Sequence, residues 1–243
     1  MQCAILAGGF ATRLRPVTEA VPKALVPVGG RPFADHQLAR LAGEGFDDVV
    51  YCIGHLGDQV RAFVGDGDRW GLKVRYVDEG DHLLGTAGAL RLAHRDRVLD
   101  PVFGVVYGDS YLPAPLREAW EAFTRRPEAA LMTVFRNEGR FDASNAKLEG
   151  GMVVRYEKGL NNPASAGMHH IDYGFSILDR DAVIAPLPEG EVIDLADVLA
   201  GLSVAGRLAG HEVTERFYEV GSPEGLAELD AMLRSPSAGL ARW

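Results

Sequence analysis

Residues 49–77 read VVYCIGHLGDQVRAFVGDGDRWGLKVRYV. The opening run, Val49–Ile53, is short and continuously apolar, the pattern of a strand covered on both faces. Leu56–Val64 then reads as a helix, and Val74–Val77 as another strand. A strand, a helix and a strand in about thirty residues imply a βαβ unit, in which parallel strands are joined by a crossover helix.

The same alternation extends in both directions. Upstream, Cys3–Leu6 is a buried strand, and Pro32–Ala42 carries apolar residues at Phe33, Leu38, Leu41 and Ala42, a helical spacing that Gly43 and Gly45 bring to a stop. Downstream come a helix over Thr86–Leu99 with Thr86 as its N-cap, a very apolar strand over Val102–Tyr107, a helix over Leu116–Phe123 and a strand over Ala130–Phe135. After Asn137 the texture changes. Gly150-Gly151 divides Asn145–Lys158 into a hairpin, His170–Leu178 is a strand, and Asp194–Leu202 is a helix capped near Asp194. The last helix, Pro223–Leu233, opens with Ser222 as N-cap and Pro223 in its first turn. The fold class that follows is α/β: a doubly wound, mostly parallel (Rossmann-like) sheet with a smaller lobe containing β-hairpins. Neither a flexible linker nor an internal repeat interrupts the 243 residues.

Composition narrows the function. Hydrophobic residues make up 47% and charged residues 24%, a globular balance. The formal net charge is -9 and no Lys/Arg-rich run occurs, which argues against a nucleic-acid partner. Small nucleotides remain compatible with an acidic chain, because a few local cations, backbone N–H groups or a metal suffice to bind phosphate. Cys3 and Cys52 lie in apolar runs, read as buried free thiols, and show no metal-type spacing. No apolar run is long enough to span a bilayer, and the N-terminus lacks a signal-peptide pattern, so no membrane role and a cytoplasmic location are expected.

The first strand runs into Leu6-Ala7-Gly8-Gly9-Phe10-Ala11-Thr12-Arg13-Leu14-Arg15-Pro16. Small residues at Ala7, Gly8 and Gly9 let the backbone approach a phosphate or a base edge, and Arg13 offers a fork of donors. The loop has neither the Gly-Lys-Ser/Thr ending of a P-loop nor the G-x-G-x-x-G spacing of a dinucleotide fold. Next, Val21-Pro22-Lys23-Ala24-Leu25-Val26-Pro27-Val28 holds one lysine between two prolines whose fixed φ stiffens the backbone, so that the lysine can be aimed.

Read together, Leu6–Val28 follow the pattern L-A-G-G-x-x-T-R-L-x-P-x-T-x-x-x-P-K-x-L-V-P-V. This resembles the signature of the sugar-1-phosphate nucleotidyltransferases. The resemblance implies that Leu6, Ala7, Gly8 and Gly9 approach the nucleotide, that Arg13 holds the triphosphate and that Lys23 offsets charge at the reacting phosphate. Leu84-Gly85-Thr86-Ala87-Gly88-Ala89-Leu90 is similar to the family's second loop, most of all in mannose- and heptose-type guanylyltransferases, which places Gly85, Thr86 and Gly88 near the nucleoside. Asp109 closes the most apolar strand, at a carboxyl end where α/β sheets bind ligands, and matches the family's Gly-Asp motif as a Mg²⁺ ligand. Arg216–Pro223 resembles the late W-x-D-x-G-T/S-P segment, with Glu219 where aspartate is usual as the second metal ligand. Glu157-Lys158 resembles the acceptor-binding Glu-Lys pair, although Gly159 replaces the usual proline, and Asn145, Asp172, Tyr173 and Gly174 lie where the family lines its acceptor pocket. The adjacent His169 and His170 point to opposite faces of a strand, which disfavours a shared metal.

The resemblance thus implies one nucleotidyltransferase domain over residues 1–243, with a nucleotide half over 1–137, an acceptor half over 138–234 and a loose tail over 235–243. Its partners would be an NTP, GTP first, and a sugar 1-phosphate, with Mg²⁺ as cofactor, in a monomer or homodimer. Alternatives are a cytidylyltransferase acting on a non-sugar phosphate or phosphonate, and a non-catalytic nucleotide-binding subunit of the same fold. A dinucleotide oxidoreductase does not fit the glycine spacing.

Overall fold

A computed structural model describes residues 1–10, 14 and 16–235. Arg13 and the tail beyond Ser235 lie outside the described residues. The chain forms two compact units that do not follow sequence order. One comprises Met1–Leu83, Val106–Tyr111 and the chain from Tyr218 onward; the other comprises Leu84–Val105 and Leu112–Phe217. The strand Val102–Tyr107 gives residues to both.

In the first unit, Gln2–Ala7 pairs in parallel with Asp48–Ile53, which pairs in parallel with Lys73–Asp78. The helices Phe33–Gly43 and Gly57–Val64 make the connections. Each strand is parallel because its connection is a helix long enough to carry the chain back to the same end. Burial follows the apolar runs: Cys3, Ala4 and Ile5 are fully buried, as are Val49 to Ile53. Both thiols are buried and unbonded, and burial pushes each well above the ordinary thiol range. A second core gathers residues from both ends of the chain. Leu14, Val26, Val28 and Phe33 pack with Val220 and Leu229, and the last helix, Pro223–Arg234, is tied in by the Gly29 N–H, which donates to Asp230 Oδ1 at 2.8 Å.

The second unit is mixed. Ala130–Arg136 pairs in parallel with Leu208–Val213 and antiparallel with His170–Asp179. Met152–Tyr156 runs antiparallel to both Leu208–Val213 and Ala146–Glu149. The mostly parallel arrangement expected from sequence therefore describes the first unit, while the second is largely antiparallel. The expected hairpin forms, with Gly150 and Gly151 at φ 56° and 77°, the two left-handed residues that a tight two-residue turn requires. One local expectation fails. Thr86 is not the N-cap of its helix, which spans Gly85–Arg95 with Leu84 in the capping position and no side-chain cap. Asp194 and Ser222 do cap as expected, accepting from Ala196 N and Gly225 N respectively. Among the described residues, no helix is long and apolar enough to cross a membrane.

Candidate active site

The first unit brings Lys23 and Asp109 together. Lys23 opens a 3-10 turn, Lys23–Leu25, behind the extended Pro22; the turn is closed by Leu25 N–H donating to Pro22 O at 2.8 Å, and by Val26 N–H donating to Lys23 O at 3.2 Å. From this stiff support the ammonium reaches Asp109 Oδ2 at 2.6 Å. Both side chains are largely covered, at 18% and 28% exposure, so solvent screens this pair less than a surface one.

Several backbone contacts fix Asp109. Gly108 N–H donates to Leu6 O at 2.8 Å, and a Cβ at Gly108 would sit 2.6 Å from Ala7 Cβ, so only glycine lets the end of this strand lie against the first one. Gln37, on the buried face of its helix, donates to Tyr107 O at 2.8 Å and to Ser110 O at 3.1 Å. Ser110 Oγ lies 3.4 Å from Asp109 Oδ1. The late segment docks here as well: Tyr218–Glu219 pairs antiparallel with Ser110–Tyr111, and Val220 N–H donates to Asp109 O at 2.8 Å. Glu219 is thereby exposed, opposite Ser110.

The two glycines of the loop differ. A methyl group on Gly8 would overlap the carboxylate of Glu79, and Gly8 O sits against Gly54, so Gly8 is closely packed on one side. A methyl group on Gly9 would meet nothing within 4 Å, leaving its backbone open. Leu6 is buried and Ala7 half-buried. Half-exposed Phe10 leans on His55 with ring centroids 5.1 Å apart.

In the second unit, the Leu84–Leu90 loop is taken up by the segment 191–195. Thr86 Oγ1 donates to Asp194 Oδ1 at 2.8 Å and accepts from Leu195 N at 2.6 Å. Ala87 and Gly88 N–H groups donate to Ile193 O at 2.9 and 3.3 Å. A Cβ on Gly85 would come within 2.5 Å of Ile193 O, and one on Gly88 within 2.8 Å of Glu191 O. These close approaches account for both glycines without a ligand.

The second unit also gathers the residues read as acceptor-binding. Asn145 Oδ1 accepts from Asp172 N at 2.8 Å, and Asn145 O accepts from Glu157 N at 2.9 Å. The Asp172 carboxylate accepts from Gly174 N at 2.9 Å and from Tyr156 OH at 3.0 Å. Burial pushes its carboxyl above the usual carboxylate range, against the opposing pull of these hydrogen bonds and of the Lys158 charge. Tyr173 belongs to the core: its hydroxyl accepts from Ala114 N at 2.9 Å and its ring meets Phe217 edge-on. Glu157 forms a surface ion pair with Arg155 at 2.6 Å, and Lys158 is exposed beside it. Gly159 has φ 78°, a conformation closed to proline, which accounts for the departure from the usual Glu-Lys-Pro. His169 and His170 face different carboxylates, Glu138 at 3.3 Å and Glu212 at 3.5 Å. Among the described residues, no three His, Cys, Asp or Glu side chains form a group that would hold a metal unaided.

Sequence reading missed Glu79, Gln37 and Tyr156. Gln37 had a signal, since it stands four residues from both Phe33 and Leu41 on an otherwise apolar helix face. Glu79 had none, because its proximity to Gly8 is a tertiary fact.

A parallel α/β unit that pairs a carboxylate and a lysine just past a strand end, and that also carries an exposed glycine loop, has the make-up of a protein that handles nucleotide phosphates. The chain belongs to the nucleotidyl transferase family, whose pattern matches residues 3–143. It is 31% identical over 237 residues to a glucose-1-phosphate thymidylyltransferase of Streptomyces griseus, covering 96% of this chain but only 66% of that protein. It is 29% identical over 235 residues to an N-acetylmuramate alpha-1-phosphate uridylyltransferase of Neisseria meningitidis, covering 96% of this chain and 98% of the relative. Its fold superposes with a TM-score of 0.83 on a crystal structure named as a Bacillus anthracis glucose-1-phosphate thymidylyltransferase in complex with a sucrose, at 26% identity, covering 97% of this chain and 96% of that one.

Proposed function

We propose that the chain acts as one nucleotidyltransferase domain on a doubly wound, Rossmann-like fold, joining a nucleoside monophosphate from an NTP to a sugar 1-phosphate. The observation that carries this reading is the Lys23–Asp109 contact just past a strand end, in the unit that also carries the exposed Gly9.

A phosphate oxygen of the sugar 1-phosphate attacks the α-phosphorus of the NTP. The new P–O bond forms as the bond to the bridging oxygen of the β-phosphate breaks, and pyrophosphate carries away the electron pair. The nucleophile is already an anion, so no general base takes part. The chain's tasks are alignment and charge neutralisation. Gly8 and Gly9 bring the backbone to the nucleotide, and Lys23 offsets charge at the α-phosphate. Arg13, on the strength of the motif, holds the leaving pyrophosphate. Lys158 binds the acceptor's phosphate, with Glu157 and Asn145 at the sugar.

Asp109 and Glu219 suit a divalent cation of the Mg²⁺ kind: they are hard oxygen donors, Asp109 directly preceding the Ser110 that pairs with Glu219, and Mg²⁺ sites commonly use one or two carboxylates and complete their shell with water and substrate phosphates. When bound there, Mg²⁺ would supply positive charge that offsets the charge of the reacting phosphates. Asp109 already pairs with a cation in Lys23.

GTP is the donor proposed first, because of the likeness of the Leu84–Leu90 loop to mannose- and heptose-type enzymes. The two curated relatives above carry thymidylyl and uridylyl names, so the test spans all bases. Pyrophosphate release is measured across five NTPs and the 1-phosphates of glucose, mannose, N-acetylglucosamine and manno-heptose, with phosphocholine alongside, for the wild type and for Asp109→Asn. Release confined to one NTP–sugar pair and lost in the variant supports the reading. Release with phosphocholine alone overturns the sugar assignment. Release that survives Asp109→Asn overturns the site.

A further inference from the structure

Asp172 shares a region with residues read as acceptor-binding, and each of its carboxylate oxygens already accepts one hydrogen bond from within the chain. It sits where the strand His170–Asp179 leaves register with Ala130–Arg136. Asp172 pairs with Val134 and Ser176 with Met132, so four steps on one strand face two on the other. Gly174, at φ 99°, lies within this bulge, and the Asp172 carboxylate folds over it to accept the Gly174 N–H. The second carboxylate oxygen accepts from Tyr156 OH, while the Asp172 N–H reaches Asn145 Oδ1 and Asn145 O receives the Glu157 N–H. Residues 172, 145, 157 and 156 therefore close a ring of hydrogen bonds. That ring fixes the end of the strand Met152–Tyr156 two residues before Lys158, where Gly159 turns the chain away.

The chemistry of residue 172 is informative. Two separate donors, an amide N–H and a phenol O–H, each require an acceptor oxygen. A carboxylate offers two such oxygens, whereas an asparagine would turn its NH₂ toward one of the donors. Burying a carboxyl is unfavourable, and a site needing only bulk would be filled by an apolar side chain. We infer that Asp172 is a positioning residue: through Tyr156 and Asn145 it sets Glu157 and Lys158 for the phosphate of the acceptor. This rests on the acceptor role proposed above for Lys158.

The test uses the full chain with Asp172→Asn, Tyr156→Phe, Lys158→Ala and the double variant Asp172→Asn/Lys158→Ala. Asp172→Asn is expected to raise the KM for the sugar 1-phosphate about tenfold, roughly the effect of losing one hydrogen bond, while leaving the KM for the NTP within about twofold of wild type. Tyr156→Phe, which removes one donor and leaves the carboxylate, moves the same constant in the same direction by less. Because Asp172 acts through Lys158, the double variant should match Lys158→Ala alone. An additional loss in the double variant, or parallel rises in both KM values, overturns the inference. Hydrogen exchange supplies a readout that needs no turnover: Asp172→Asn should speed amide exchange at 157–159 and leave Ala7–Phe10 unchanged. Unchanged exchange at 157–159 overturns the positioning role even if the wild type turns over no sugar. An inactive wild type with faster local exchange in the variant instead refutes the proposed function and leaves the hydrogen-bonded ring standing.

Discussion

The sharpest consequence of the Lys23–Asp109 pair is that one substitution should move two measurements in opposite directions. The Lys23 ammonium lies 2.6 Å from the carboxylate proposed to ligate a divalent cation. With charge centres about 4 Å apart and an effective dielectric of about 20, the gross attraction is about 4 kcal/mol. Desolvation of two largely covered side chains offsets much of this. If about a third survives, roughly 1.4 kcal/mol, an incoming cation must overcome it, which weakens apparent metal binding about tenfold. Lys23→Met removes the competing charge and keeps an unbranched side chain. Mn²⁺ binding without nucleotide, followed by calorimetry or by the EPR signal of the free ion, should tighten about tenfold in this variant. Turnover should fall about 100- to 1000-fold, because the same lysine is absent when charge develops at the α-phosphate. Adding Asp109→Asn should abolish the gain in Mn²⁺ affinity. Unchanged Mn²⁺ affinity in Lys23→Met, or a gain that persists without the Asp109 carboxylate, refutes the competition.

Three further perturbations test other parts of the structure. Gly9→Ala adds a methyl group in open space, so the denaturation midpoint should scarcely move, a change within about 0.5 kcal/mol, while the KM for the NTP rises because the backbone can no longer approach the phosphates. Gly85→Ala forces a side chain onto φ 74° and against Ile193 O at 2.5 Å, so it should cost about 2 kcal/mol or more in urea unfolding; wild-type stability would mean that the 191–195 segment does not clamp this loop. His36 donates from Nε2 to Val28 O at 2.8 Å and presents Nδ1 to Arg31, a neutral tautomer, and burial lowers its pKa below the ordinary histidine value. Its contribution to stability is complete above the unfolded value of about 6.5 and is lost as pH falls through the lower folded value. Melting temperatures at about pH 7.5 and 5.5 should therefore differ more for the wild type than for His36→Gln; equal differences would remove His36 from the acid sensitivity.

Much of the fold was legible because strand burial and helix caps are local. The runs Val49–Ile53 and Val102–Tyr107 are apolar wherever they are read, and Gly150-Gly151 supplies the two left-handed residues of its turn. What escaped depends on distant partners. Leu208–Val213 reads L-A-G-H-E-V, with a glycine and two polar residues, and nothing local marks it as a strand. It forms because Ala130–Arg136 receives it in parallel, and a side chain at Gly210 would run into Leu148. The last helix likewise looks like a C-terminal appendage in sequence, yet Leu229 is buried with Val26, Val28 and Phe33. Thr86 had the right chemistry for an N-cap and a different use: Asp194, 108 residues away, competes for its hydroxyl.

The site shows the same division at the scale of single atoms. A motif assigns a position, but it does not say which lone pairs and donors remain available once the chain has folded. Gly8 and Gly9 are indistinguishable in the pattern, yet the first is crowded by Glu79 and the second is open. Asp172 and Tyr173 stand beside each other in the acceptor segment; the carboxylate of one holds a bulge and a tyrosine, and the hydroxyl of the other holds Ala114. Within that segment Glu157 and Lys158 are exposed, while Asp172 and Tyr173 are tied into the chain by their side-chain hydrogen bonds. The Lys23–Asp109 pair poses the same question from the opposite side. On the proposed function Asp109 would ligate a metal and Lys23 would meet a phosphate, so the 2.6 Å contact between them would have to be given up by both partners. Binding of nucleotide and of metal would then be linked, and the Lys23→Met variant tests that linkage.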